Sequence, residues 1–340
     1  MRKFLKFLAS LFIGIFIFWL VMKMVGWGKI GEALVLFSGF EGLIIILLTF
    51  TTAIIGVLQW KLILQSQGSN IPTKELGKLW LVGFTMSYLT PCTLLGGEAL
   101  QVYLLKKRFN LNWEKSAASV IIDRILSGTF FLMFLIAGIL AFCFYGHFPS
   151  DIMLWFIILV TGGLFGLLLF FYFKALNKKS ILKWFLKFIG INKEKIKNHK
   201  NGKIIFDTEK EIIRFFSPKK IAFWKSLGLS FLRYFLLFFR AVLLIFFLRG
   251  GIEVSKGLAV YGLANFALLF PLPAALGSLE AASAFSFNAL GLGAGEGTIF
   301  AMTLRTADLF LCLLGLIFGI KLGLNLAERK ILEFIDRLKQ

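Results

Sequence analysis

Apolar positions in this chain run in long blocks separated by short basic ones. Blocks such as Phe4 to Val25, Ser116 to Tyr145, Phe223 to Leu248 and Thr298 to Leu322 have the length a helix needs to cross the hydrocarbon of a bilayer. The weaker alternating pattern of a membrane β-barrel does not occur. Two further blocks, Leu79 to Leu105 and Leu258 to Leu292, are broken near their middles. Pro91, Gly96 and Gly97 interrupt the first, and Pro271, Pro273 and Gly277 the second. Proline removes a helical donor and clashes with the preceding turn, so each block predicts two short helices about a break.

Composition supports this reading. With 58% hydrophobic residues, 41 Phe, 16% charged residues and a mean hydropathy of +0.84, 340 residues could not cover themselves with polar surface in water. The expected fold class is an all-α polytopic membrane protein, a helical bundle forming one integral domain over residues 1–340. Phe4 to Val25 follows Arg2, Lys3 and Lys6 like a secretory signal. Its apolar run is too long for a signal core and no small-x-small cleavage site follows, so a retained first span is expected. Cys92, Cys143 and Cys312 lack CxxC spacing, and only His147 and His199 join them. A disulfide framework or zinc site is not expected, and no cofactor is called for.

Charge placement adds a topology. Threaded from a cytoplasmic start, the amino terminus and the segments Lys61 to Lys78, Lys106 to Lys115, Lys174 to Lys225 and Lys321 to Lys339 share one side and hold 30 of the 38 Lys and Arg. The other side receives Lys23, Lys29, Arg249 and Lys256 against Glu32, Glu41, Asp151, Glu253 and Glu296. The positive-inside rule then places both termini in the cytoplasm of a cell (inner) membrane.

On that threading both ends of Leu79 to Leu105 are cytoplasmic and both ends of Leu258 to Leu292 external. Each block becomes a re-entrant helical hairpin followed by a long span, and the two units, residues 79–146 and 257–322, are inverted repeats. The competing reading makes both hairpins complete spans. The repeat carries chemistry: Pro91 precedes Glu98 by seven residues and Arg124 follows, while Pro273 precedes Glu280 by seven and Arg305 follows. Broken helices near the bilayer centre are how many secondary transporters build an ion or headgroup site.

Within the apolar blocks stand four acids, Glu98, Asp123, Glu280 and Asp308, and four arginines, Arg124, Arg233, Arg240 and Arg305. Equal numbers suggest a mutually compensated polar centre, with Glu98, Arg124, Glu280 and Arg305 meeting near the midplane. Arg233 and Arg240, seven apart, share a helix face and could pass a phosphate between depths, because guanidinium binds phosphate bidentately and stays charged. Equally, these arginines could pair with acids only to hold the bundle together. Residues 174–225 carry fifteen basic and four acidic residues. There Ile181, Trp184, Phe185, Phe188 and Ile189 recur at helical spacing, predicting an amphipathic helix on the anionic leaflet. A partner-docking surface and a solvated loop are the alternatives. The external segment Gly26 to Gly42 is expected to lie along the outer interface.

The string Pro91, Gly96-Gly97-Glu98-Ala99 and Ser119-Val120-Ile121-Ile122-Asp123-Arg124 resembles the transmembrane region of lysylphosphatidylglycerol synthases and the stand-alone flippase-like proteins related to it. Pro273, Gly277, Glu280-Ala281-Ala282 and Arg305 resemble that family's second motif, and the likeness runs over about residues 1 to 330. It implies a lipid translocase that moves an aminoacylated phospholipid or another lipid-linked headgroup between leaflets. Gln101 stands where the family often has arginine, and Pro273-Ala274 where it often has Pro-Gly, so headgroup preference is expected to differ. The chain ends soon after its last block, so no aminoacyltransferase activity is expected. The partners implied are membrane lipids, with an anionic phospholipid or lipid phosphate as substrate, and a separate lipid-modifying enzyme; nucleic acid is not among them. A membrane-embedded transferase acting on a lipid carrier and an ion-coupled solute transporter of the same plan remain alternatives.

Overall fold

A computed structural model describes residues 39–338 apart from 91–95, 147, 149, 190–199 and 252. The first apolar block, most of Gly26 to Gly42, Pro91, Cys92, His147 and His199 lie outside the described residues. Every regular element described is helical: α1 (Phe40–Ser66), α2 (Thr73–Leu89), α3 (Glu98–Phe109), α4 (Trp113–Tyr145), α5 (Asp151–Leu176), α6 (Ile181–Ile189), α7 (Lys200–Phe215), α8 (Ile221–Arg249), α9 (Val254–Ala267), α10 (Ser278–Ala289) and α11 (Ala294–Leu338). Among them α1, α4, α5, α8 and the Ala294–Gly323 part of α11 are long and apolar enough to cross a membrane.

The ends of these helices follow local chemistry. The Ser150 hydroxyl caps α5 by accepting the Met153 N–H at 3.3 Å, while α3 and α8 stop at Asn110 and Gly250, both left-handed with φ of 51° and 71°. Side-chain acceptors at the start and left-handed residues at the finish satisfy the backbone groups a helix leaves unpaired.

α4 is the central post. The Trp60 indole N–H of α1 donates to Ser119 at 3.3 Å and Lys115 donates to the Gln67 carbonyl at 2.8 Å, so α1 descends as α4 rises. Phe130 and Phe134 meet Phe231 and Phe238, which makes α8 run parallel to α4. Thr129 and Tyr172 share a hydrogen bond of 2.8 Å, and α5 turns back along α4. α4 crosses α9 where a Cβ on Gly138 would lie 2.5 Å from the Gly262 Cα. Only glycine on both helices permits that approach, and it brings Leu135, Phe142, Val260 and Leu263 into one core. α5 is different: 11% of its apolar stretch is buried, so nearly all of it faces outward.

Both broken blocks form helical hairpins. α2 and α3, 17 and 12 residues long, come to about 25 and 18 Å at 1.5 Å per residue, short of the ~30 Å hydrocarbon core. They are longer than the predicted Leu79 to Leu105 because Lys74, Glu75 and Lys78 are already helical. Glu75 ties the open end, pairing with Lys78 at 2.6 Å and with Arg108 at 2.7 Å. The Lys78 hydrogen bond, with Arg108 beside it, holds the Glu75 carboxyl below its ordinary range. At the closed end, a Cβ on Gly97 would lie 1.9 Å from the Gly83 carbonyl oxygen. The Gly97 N–H donates to Ser87 at 2.8 Å. The second hairpin joins α9 to α10 through a tight turn over Pro273–Ala275.

The end of α2 meets the turn of the second hairpin. Leu89 packs with Ala274 and Leu309, flanked by Tyr88, Leu276 and Met302. α11 runs antiparallel along α2, with the Thr85 hydroxyl donating to the Cys312 carbonyl at 3.1 Å and Gly315 seated against Leu81.

Among its described residues the basic insert contains two helices where one was expected. α6 carries Trp184 and Phe185 as predicted, while α7 was missed because charged residues, seven of its 16, interrupt its apolar pattern. Its apolar face, Phe206, Ile212 and Phe215, is nonetheless buried; Ile212 and Phe215 pack with Ala118, Ile122 and Ala175 of α4 and α5.

Candidate functional site

The helix termini at the two hairpins put each glutamate of the repeated pattern at the start of a helix. Glu98 is the first residue of α3, and Glu280 lies in the first turn of α10. A carboxylate there is favoured by the helix dipole and by the unpaired N–H groups. Each acid then meets the arginine of its own half. Arg124 Nε lies 2.7 Å from Glu98 Oε1, and Arg305 Nη1 lies 2.5 Å from Glu280 Oε1. Among the described residues no ion pair joins one half's pair to the other's.

The two pairs differ in access. Arg305 is 1% exposed and Glu280 15%. Arg305 Nη2 also donates to the Ala275 carbonyl at 3.0 Å and to Glu280 Oε2 at 3.0 Å, and that oxygen accepts the Gly277 N–H at 2.9 Å. The turn they clasp is unusual, since Ala274, Ala275 and Gly277 all have positive φ, 51°, 49° and 79°. A left-handed alanine costs on the order of 1 kcal/mol, and the Arg305 clasp offsets that cost. Arg124 and Glu98, by contrast, are 30% and 20% exposed, so a ligand could reach them.

Around the first pair stand two further predicted residues. Asp123 is buried, its Oδ1 has no hydrogen-bond partner, and Arg124, Arg233 and Glu98 are the charges that act on it. The Arg233 guanidinium lies 5.2 Å from the centre of the Trp80 ring and 6.0 Å from that of Tyr234, a cation–π arrangement that leaves its N–H groups for other acceptors. Around the second pair, Asp308 and Arg240 complete the predicted set: Arg240 Nη1 is 3.0 Å from Asp308 Oδ1 and donates to the Thr49 hydroxyl at 2.7 Å. Tyr88, from the first hairpin, lies within electrostatic reach of Arg305, Asp308 and Glu280.

The eight charges therefore form two groups, Glu98, Arg124, Asp123 and Arg233 in one, Glu280, Arg305, Asp308 and Arg240 in the other. Arg233 and Arg240, predicted as one ladder, are divided between them, because α8 passes Trp80 of α2 at one level and Thr49 of α1 at the next. Thr49, Trp80, Tyr88 and Tyr234 were not anticipated. Nothing marks them in a chain with 41 Phe, 8 Trp and 6 Tyr; only the packing of distant helices selects them. Of the predicted helix breaks, Gly97 abuts Gly83 and Gly277 caps α10, and Pro91 lies outside the described residues.

Among the described residues, five apolar membrane-length helices around two broken hairpins, with arginine–carboxylate pairs at the breaks, define a multi-pass helical membrane protein. The chain belongs to the lysylphosphatidylglycerol synthase TM region family, which it matches over residues 7–315. It is 30% identical over 115 residues to a UPF0104 membrane protein of Methanothermobacter thermautotrophicus and 26% over 114 residues to one of Methanocaldococcus jannaschii. Each match spans about a third of either chain, 34% of both.

Proposed function

We propose that this protein is a lipid translocase that moves a phospholipid or lipid-linked headgroup between leaflets, and that it is a transporter rather than an enzyme. The observation that carries the reading is the open Glu98–Arg124 pair, 20% and 30% exposed, beside Arg233 and the unpartnered Oδ1 of Asp123. Arg124 and Arg233 would hold the phosphate, since guanidinium keeps its charge in a low dielectric and binds phosphate oxygens in pairs. Glu98 and Asp123 would take a cationic headgroup group or a coupling proton. Glu280, Arg305, Arg240 and Asp308 would form the second station, closed in this conformation and opened by breaking the clasp on Ala275.

In this reading the molecule is one domain, and the hairpins are re-entrant. They enter from opposite faces as inverted repeats over residues 79–146 and 257–322, with both termini in the cytoplasm of the inner membrane. The contact of Leu89, at the end of α2, with Ala274 of the second turn supports it, because re-entrant elements must meet inside the bilayer, where non-helical backbone needs protein cover. Fluorescent phospholipid transport in proteoliposomes tests it. Glu98→Gln and Arg124→Gln should each slow transport by about tenfold, the worth of one charge-assisted hydrogen bond. Unchanged rates in both sink the reading.

A further inference from the structure

The basic insert builds a pocket of its own at the end of the bundle. Where α6 meets α7, a cavity of about 480 Å³ is lined by Lys178, Lys183, Lys210, Arg214 and Lys220, with Glu209 as its acid. Glu209 is already engaged: Oε1 accepts the N–H groups of Ile181 at 2.6 Å and Leu182 at 2.8 Å, and Oε2 accepts the Ser180 hydroxyl at 2.5 Å. It caps the start of α6, so both its oxygens already have donors. Outside the lining, Asp207 pairs with Lys210 at 2.7 Å and Glu211 approaches Arg214 at 3.9 Å. Five cations against three carboxylates leave two positive charges over.

The crowding is felt at Lys220. Burial, together with Arg214 nearby, holds its ammonium below the ordinary lysine value. Cations gathered in a concave site without matching acids favour an anion there. The surroundings indicate where that anion comes from. α6 turns Trp184 and Phe185 outward, 44% and 51% exposed. The Trp184 ring lies 4.8 Å from Phe170 of α5, and the Lys174 ammonium stands over both rings. Aromatic rings flanked by lysine ammoniums belong at the headgroup level of a bilayer.

We infer that the α6–α7 pocket binds the phosphate of an anionic lipid headgroup and prefers a phosphomonoester. A phosphomonoester carries about −1.5 to −2 charges at neutral pH, which matches the surplus of the pocket, whereas a phosphodiester carries one. The occupant is a resident of the surface, separate from any lipid in transit, and its retention is read without a transport assay. The proposal thus stands or falls independently of the translocase reading.

The test uses the full chain in detergent, incubated with equal amounts of phosphatidic acid, phosphatidylglycerol and phosphatidylcholine and examined by native mass spectrometry. Phosphatidic acid should be retained best and phosphatidylcholine least. Arg214→Gln combined with Lys220→Gln should lower phosphatidic acid retention by about tenfold or more, with an unchanged elution volume. Where that variant does not fold, Lys178→Gln with Lys183→Gln removes the facing wall and should do the same. A parallel arm titrates inorganic phosphate: weak competition at millimolar phosphate identifies a lipid source. Tight phosphate binding that displaces phosphatidic acid at micromolar concentration would overturn the lipid assignment. Equal retention of the three lipids, or folded variants that keep phosphatidic acid, would overturn the site.

Discussion

Arg305 and Arg124 occupy matching places in the repeated pattern, yet their surroundings make them energetically unlike. Arg305 is 1% exposed and its removal would strand Glu280 in a buried turn, a loss that costs about 3–5 kcal/mol. Arg124 is 30% exposed, and solvent screening reduces the worth of such a pair to about 1 kcal/mol or less. Arg305→Ala should therefore lower the thermal unfolding midpoint in detergent far more than Arg124→Ala, while Arg305→Ala with Glu280→Gln recovers part of the loss. Equal destabilisation by the two single variants would contradict this difference in burial. The spacing in the sequence made all four residues legible as a site, because charge in apolar sequence is costly and conspicuous. It could not tell the sealed pair from the open one, since burial depends on α2, α9 and α11 arriving together.

Among the elements, the α4–α9 crossing depends on having no side chain at Gly138 and Gly262. A Cβ on Gly262 would sit 2.6 Å from the Gly138 Cα, so Gly262→Ala must push the helices apart and should cost about 1–3 kcal/mol. Gly228 on α8 provides the contrast, since a Cβ there meets nothing within 4 Å. Gly228→Ala should stabilise the fold by about 0.5–1 kcal/mol through helix propensity alone. Thermal unfolding of both variants checks the pair of signs. α7 shows where reading by element stopped: the apolar spacing of Phe206, Ile212 and Phe215 was present, but the charges between them outweighed it. The bundle's own surface, Ala118 and Ile122 of α4, supplies the burial that makes this segment a helix.

Over the whole molecule, three of the basic segments that the sequence assigned to one side, Lys61 to Lys78, Lys106 to Lys115 and Lys174 to Lys225, lie against one another. Lys115 reaches the Gln67 carbonyl, Lys61 reaches Thr73, Arg108 reaches Glu75, and Lys203 of α7 borders the cavity formed by Lys106 and Trp113. At the far end Arg249 bonds the Leu292 carbonyl and pairs with Glu296 at 2.8 Å. The proposed topology predicts that Ser69→Cys and Ser217→Cys are labelled by a membrane-impermeant thiol reagent only in inside-out vesicles. Glu253→Cys and Gly295→Cys should be labelled only in right-side-out ones. Of the described cysteines Cys143 is exposed, so the labelling is carried out in a Cys92→Ser, Cys143→Ser background. Reaction of Ser69→Cys and Glu253→Cys from the same side would remove the inverted arrangement.

The sequence by itself determined the solvent, the helical class, the positions of the two breaks and the residues that carry charge across apolar surroundings. Those properties follow from composition and spacing, because in lipid every backbone group must be satisfied within its own helix and every charge is expensive. Tertiary structure alone decided which charges became partners and which of them a ligand can reach. Pairing Arg240 with Asp308 and Thr49, setting Arg233 over Trp80 and clasping Ala275 with Arg305 each require helices far apart in sequence to meet. Local pattern contains no record of such meetings, since they are fixed by the close packing of whole helix faces.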